Sequence, residues 1–576
     1  MTKLGMKNKR TFEDALREHK AATANRPGGL AFDFESPAEY LLATIGSALF
    51  VEPKYHPDTL DPKKLRDGDY NVEDLDEQAV KIIEACREIA RGPNPKDLLA
   101  LAHWARVEMN MRTTPQVMLA VAANSAGTKP FVRRYVPRIS RRADDVLQLV
   151  AAYEHLFGWK AFPASLKKGV ADRMSKMSEY EILKYNRKGH PSFKDLLRFC
   201  ERRKGYPLSP ELRHYIFTGE VLNPKATPVI AARKELTSRN LWTEDIPALA
   251  KKAAVTWEVL VSQFGSKPEV WGAVVPLMPY MALIRNVANF LEAGMPLAVI
   301  RMVAERIGDA KAVRKSKQLP FRFMALYRTL NPGNAWFSSI RGYGSASSNR
   351  NRSSWDQRSV QLLVEAVETA LDHSVENIPE LSGITCIASD NSGSMKYPLS
   401  KGSCVTLLDT ANILAAMVHQ RSDESYVTAF GNKAVWPVLS KRNSVVTNMN
   451  EIANYKANYR GQATNAYEVF KHLFEQKIHV DRIVVLSDMQ CYDTGGNRSV
   501  AEFLAKYRRE VNPQAYAHFF DLKGYGTQQA PSGDPRSNVV AGFSEKIFQQ
   551  ILMFEGVEEV KGERVLPTLE YIRENY

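Results

Sequence analysis

The stretch Ile384-Thr385-Cys386-Ile387-Ala388-Ser389-Asp390-Asn391-Ser392-Gly393-Ser394-Met395 decides the fold of the second half of this 576-residue chain. Its first six residues form an apolar run suited to a buried parallel strand. The strand ends in Asp390, and two hydroxyls, Ser392 and Ser394, follow at once, with Gly393 between them to permit a tight loop. Working outward, the run Arg482–Ser487 is a second strand of the same kind, and Asp488 ends it. Between the two lies Arg460-Gly461-Gln462-Ala463-Thr464-Asn465, which offers the Thr464 hydroxyl at a helix start. A helix over 403–421, strands over 426–430, 434–439 and 515–521, and a helix over 499–510 complete the alternation. This pattern predicts a doubly wound α/β domain whose ligands bind at the C-terminal ends of its strands.

Three hydroxyls and two carboxylates at such strand ends suit a small, hard divalent cation, which takes oxygen ligands and keeps some waters. Asp390, Ser392, Ser394, Thr464 and Asp488 are the predicted metal ligands, with Mg2+ as the expected ion. Each piece alone has a plainer reading: a serine there can cap a helix, and a strand-terminal aspartate can satisfy backbone donors. The set, in this order, is specific. No Ser-His-Asp or Cys-His set accompanies it, and the position two residues after Asp390 is Ser392 rather than a second acid. His419 and His518 stand alone, so the sequence carries no enzyme signature.

The remaining sequence is of a different kind. The formal charge is +14, and its excess is local. Between Thr128 and Lys204, 19 Lys and Arg stand against 8 Asp and Glu; between Arg301 and Arg358, 12 stand against 3. Clustered positive charge favours a polyanion such as RNA, against the plainer reading of solvated helix faces. Five widely spaced cysteines without a C-x-x-C pair argue against a disulfide framework or a zinc site, and for a reducing cytoplasm. No apolar h-region opens the chain, and its longest apolar stretch, near 273–284, is too short to span a membrane.

From about Ala38 to Thr329 the apolar spacing is helical. Val146, Leu149, Val150, Tyr153, Leu156 and Phe157 form one stripe; Ile246, Leu249, Ala253, Trp257, Leu260, Val261 and Phe264 form another. Ser178 with Glu181, and Ser192 with Asp195, read as capping boxes. Short turns between many amphipathic helices favour stacked helix pairs. The segment 331–358, rich in Gly, Ser, Asn and Arg, reads as a flexible basic connector and contains no phosphate-binding P-loop.

The D-x-S-x-S loop, the threonine loop and the strand-ended aspartate resemble the metal-ion-dependent adhesion site of von Willebrand factor A domains. The helical half resembles the TROVE module of the Ro ribonucleoprotein family, in Val132-Arg133-Arg134-Tyr135 through Asp144-Asp145, Lys184-Tyr185, Lys194-Asp195-Leu196-Leu197-Arg198, the segment 279–286 and the segment 319–326. The resemblance implies a ring of HEAT-like helix pairs followed by the A-type domain: an N-terminal segment 1–27, a helical module 28–330, the connector 331–358 and the α/β domain 359–576. It also implies an RNA-binding scaffold, not an enzyme, that takes small noncoding (Y-like) RNA and single-stranded 3′ ends of defective RNA. A protein partner such as an exoribonuclease would dock on the metal site, and the chain would be monomeric without RNA. The predicted RNA contacts are Arg133, Arg134, Arg138, Arg141, Arg142, Lys167, Lys168, Arg173, Lys184, Arg187, Lys194 and Arg198. Tyr153 and Trp159, which fall on apolar stripes, are assigned to the core. Two positions depart from the family pattern: Phe193 and Leu319 stand where the family commonly has histidine. The competing reading is a protein-interaction adaptor without a specific RNA function.

Overall fold

A computed structural model describes residues 77–158, 162–186, 189–200, 207–316, 320–331, 354–399, 405–491 and 499–523, with shorter pieces at 23–24, 30–31, 36–47, 529–530, 536–541, 547–556, 559–560, 563–564 and 569–576 and the single residues 52, 55, 318 and 534. Most of the predicted connector, 332–353, lies outside the described residues, as do Trp159, Arg187, Leu319 and Cys404. The chain forms two compact units, one of Ser36–Ile45, Leu49–Leu277 and Pro567–Tyr576, the other of Met1–Glu35, Gly46–Ala48 and Met278–Leu566.

The first unit is built of helices packed in successive pairs. Asp97–Val107 packs on Thr114–Asn124, which packs on Ala143–Phe157, and Val132–Ile139 packs on Ala164–Met174. The stripe of Ala143–Phe157 buries Val146, Leu149, Val150 and Tyr153 completely, so Tyr153 is a core residue. Both capping boxes form: Ser178 Oγ accepts from Glu181 N at 3.3 Å, and Ser192 Oγ from Asp195 N at 3.3 Å. The stripe over 246–264 is not one helix but two, Ile246–Lys252 and Trp257–Phe264. Ala254 takes a left-handed φ of 47°, and the β-branched pair Val255-Thr256 that follows favours extended backbone over a continued helix. A buried ion pair, Arg106 to Asp145 at 2.8 Å, ties two helices together. The last helix, Leu569–Asn575, joins this unit: Arg573 pairs with Asp97 at 2.6 Å, and the Tyr576 hydroxyl donates to Glu108 at 2.8 Å.

The second unit holds a six-stranded sheet. In chain order its strands are β1 (Leu381–Asp390), β2 (Ser422–Phe430), β3 (Ala434–Val435), β4 (Arg482–Ser487), β5 (Tyr516–Asp521) and β6 (Ser537–Ala541), arranged β3-β2-β1-β4-β5-β6. All neighbours are parallel except the edge pair β2 and β3. The strand expected over 434–439 therefore shrinks to two residues, and β6 was not foreseen. β4 is buried at every residue, which is why its sequence is a continuous apolar run rather than an alternating one. β1 begins earlier than its apolar run, across an irregularity in its pairing with β2 at Gly383, where φ is 82° and a Cβ would stand 2.4 Å from Asp481 Oδ2. That carboxylate accepts from Ile384 N at 2.7 Å and fixes the register of β1 beside β4. Helix Leu407–Arg421, opened by the Thr406–Asp409 capping box, covers one face of the sheet, and Tyr467–Glu475 packs with Val500–Glu510. Helices on the N-terminal side of the connector also belong to this unit: Leu297–Gly308 and Pro320–Leu330 pack on Gln357–Ser374, and Arg328 pairs with Asp409 at 2.5 Å. The compact unit thus extends past the boundary that composition suggests. No helix among the described residues is long and apolar enough to cross a membrane.

Candidate functional site

β1 and β4 are adjacent and parallel, with Ser389 opposite Leu486, so their terminal aspartates emerge side by side at the C-terminal edge of the sheet. Both are enclosed: Asp390 is 0% and Asp488 1% exposed. The loop after β1 turns back on its own strand, since Ser392 N donates to Asp390 Oδ1 at 2.9 Å. The Ser392 and Ser394 hydroxyls then stand 3.2 Å apart, and the Ser394 hydroxyl bonds the Asp488 carboxylate. Gly393 is helical at φ −62°, and a Cβ there would meet only ordinary contacts, so the loop does not need glycine for its conformation as expected.

The threonine loop is brought to the same edge by backbone. Gly393 N donates to Gln462 O at 2.8 Å, which sets Thr464 two residues from the β1 loop's direct contact. Asn432, just past β2, holds that loop: its Oδ1 accepts from Gln462 N at 2.7 Å and Ala463 N at 2.9 Å. Gly461, at φ 75°, is required here, because a Cβ would lie 2.2 Å from Asn432 Oδ1. All five predicted ligands therefore lie on three loops at one end of the sheet.

The electrostatics of the edge are unusual. Burial first, and then the neighbouring Asp488 charge, raise the Asp390 carboxyl well above the usual carboxylate range, although hydrogen bonds from Ser487 and Ser392 oppose the shift. Burial likewise raises Asp488. Neither carboxylate makes an ion pair among the described residues. Two buried like charges repel and are poorly solvated, and a divalent cation relieves both penalties. With two carboxylates and facing serine hydroxyls, the donor set fits a hard, oxygen-loving ion.

Sequence reasoning missed several residues of this edge. Ser487 Oγ donates to Asp390 Oδ2 at 2.5 Å and accepts from Met489 N at 3.1 Å, bracing the first aspartate from the neighbouring strand. Its place directly before Asp488 was the available signal. Asp521 ends β5 opposite Ser487 and is 1% exposed, a third strand-ended aspartate. Asn432 carried no signal, since its role depends on a loop thirty residues away.

The predicted RNA contacts lie in the other unit and divide by exposure. Arg134, Arg138, Arg141, Lys167, Lys168, Lys194 and Arg198 are exposed. Arg133 is exposed but bonds Asp172 at 2.6 Å, and Arg198 stands 3.9 Å from Asp195. Arg142 is half-buried between Asp144, at 3.0 Å, and the Tyr185 hydroxyl, while half-buried Lys184 donates to the Tyr180 hydroxyl at 3.1 Å. Arg173 is only 6% exposed: it donates to Ser140 O at 2.9 Å and Arg141 O at 2.7 Å and pairs with Glu181. It braces the fold from inside and is not displayed on the surface with the others. Phe193 is buried at 1% exposure, and the nearby imidazole is His190, 2.8 Å from Glu154 and 3.5 Å from Asp195.

Comparison with known proteins divides the chain near the connector, and assigns residues 278–333, which belong to the sheet-bearing unit, to the helical match. The TROVE domain model matches residues 59–240 and 249–333, and the Ro60 vWA domain model matches residues 385–555. The chain is 27% identical over 317 residues to Telomerase protein component 1 of Mus musculus and 26% over 318 residues to that of Rattus norvegicus. Each alignment takes in 45% of this chain but only 12% of the relative, so the chain spans a small part of those proteins. Its fold is similar to that in the crystal structure of the Deinococcus radiodurans RO (RSR) protein, with a TM-score of 0.64 at 16% identity, covering 91% of this chain and 100% of that one. The two family models account for most of the sequence, in the order helical module then α/β domain, and the chain belongs to the Ro ribonucleoprotein family.

Proposed function

We propose that this RNA-binding Ro-family protein is a scaffold with two separate attachment sites. The exposed cations of the helical unit hold a small noncoding RNA, or the single-stranded 3′ end of a defective one, through its phosphates. Asp390, Ser392, Ser394, Thr464 and Asp488 hold one Mg2+ ion, and an acidic group from a protein partner, such as a nuclease, completes its coordination. The cation supplies a Lewis-acidic attachment point. The chain's own residues position it: Ser487 orients Asp390, and Asn432 holds the threonine loop in place. The observation that carries the reading is the pair of enclosed aspartates without an ion-pair partner among the described residues, together with the exposed arginines and lysines of the other unit.

The test combines Asp390→Ala with Thr464→Ala in the full chain, with RNA affinity and Mg2+-dependent protein capture both measured. Loss of capture with RNA affinity retained supports the scaffold. Loss of capture from a chain that never bound RNA would identify a protein-interaction adaptor instead.

A further inference from the structure

A pocket of about 440 Å³, lined by none of the predicted RNA contacts, lies in the helical unit at the ends of helices Glu77–Arg91, Thr114–Asn124 and Ala143–Phe157. Arg87 and Arg91, one helical turn apart, line one wall. Both are exposed, and neither makes an ion pair or hydrogen bond among the described residues. Phe157, Val121, Ala90 and Pro95 supply the apolar surface, and no acidic residue lines the pocket. Asn124 stands at the rim: its Oδ1 already accepts from the Tyr153 hydroxyl at 3.1 Å, so its amide hydrogens remain for a ligand. The half-buried Phe157 ring packs against Tyr153 with centroids 5.1 Å apart, which holds it in place.

Charge decides the class of ligand. Each helix C-terminus contributes roughly half a negative charge. Two guanidinium groups outweigh the roughly one and a half negative charges of the three helix ends at Arg91, Asn124 and Phe157, so the pocket is net attractive to an anion. A guanidinium pair recognises phosphate oxygens, an aromatic ring stacks on a base, and a side-chain amide hydrogen-bonds a base edge. The volume accommodates one nucleotide and not a duplex.

We infer that this pocket binds a single unpaired nucleotide of RNA, with its phosphate on Arg87 and Arg91, its base on Phe157 and a base edge on the Asn124 amide. The inference rests on the RNA-binding reading and adds a subsite to it. The test measures binding of a short single-stranded oligoribonucleotide to the full chain at several salt concentrations. Arg87→Ala with Arg91→Ala should weaken binding about tenfold and flatten the salt dependence by roughly one phosphate contact, a slope change near 0.7. Phe157→Leu, which preserves apolar packing, should weaken binding about fivefold with the salt slope unchanged, as lost stacking requires. A photoreactive uridine in the oligonucleotide should crosslink within 87–157. If the unmodified chain binds the oligonucleotide and both variants bind it equally well, this inference is wrong and the functional reading stands. If the unmodified chain binds no RNA, both fail together.

Discussion

The two units handle charge in opposite ways. At the sheet edge, a few charges are enclosed, spaced by strand register and braced by hydroxyls, so each depends on its neighbours. In the helical unit, most of the predicted RNA contacts stand in solvent, and several are paired with nearby acids. The first arrangement is a site: removing one member should abolish it. The second is a surface, on which contributions add and salt screens them. The difference teaches that positive charge alone does not mark function. Arg173 and Arg106 are as basic as Arg134, yet they are buried and hold helices together.

That contrast can be broken in several ways. The largest effect is expected inside the helical unit. Arg106→Ala strands the fully buried Asp145 and should destabilise the protein by about 3–5 kcal/mol, measured by denaturant unfolding. A change below about 0.5 kcal/mol, the range of ordinary surface substitutions, would place Arg106 with the surface cations. Next, Asp390→Asn should weaken Mg2+ binding by about 100-fold or more, since losing even a hydrogen-bond partner of a metal ligand reaches that scale. Titration calorimetry reads this directly, and RNA affinity should not follow it. Smaller again, Arg134→Ala with Arg138→Ala should lower RNA affinity several-fold and reduce the salt slope by roughly 1.5, with melting temperature unchanged. A melting temperature that falls with the affinity would mean these side chains are structural.

The last effect concerns pH. Glu555 is mostly buried, which alone raises its carboxyl, but Arg482 at 2.7 Å and His518 at 2.9 Å together hold it down to about 2. A depressed carboxyl stabilises the fold above its unfolded value and loses that contribution as pH falls through the folded one. Stability should therefore decline between about pH 4 and pH 2 more steeply in the natural chain than in Glu555→Gln. Parallel acid unfolding of the two would remove this pair from the account.

How much was legible beforehand follows the same division. Asp390, Ser392, Ser394, Thr464 and Asp488 could be read from sequence because strand ends and loop hydroxyls are local features, and register then brings them to one edge. Asn432 could not, since its part depends on a loop remote in sequence; Asp521 ends a strand that the sequence predicts, and the register beside β4 places it at this edge. The helical stripe of Ala143–Phe157 was plain from periodicity. The break at Ala254 was not, because the apolar spacing continues across it while the backbone does not. Among the arginines, burial was invisible: Arg173 sits on a basic helix, and only the carbonyls of Ser140 and Arg141 reveal its role.

The most direct test of the central claim is the salt dependence of RNA affinity, measured for the natural chain and for Asp390→Ala with a structured RNA bearing a single-stranded 3′ tail. Several phosphate contacts should give a steep slope, about −4 or steeper in log affinity against log salt, and the two proteins should give the same line. A shallow slope would contradict RNA binding by the exposed cations. A slope or affinity that changes with Asp390 would contradict the separation of the two sites.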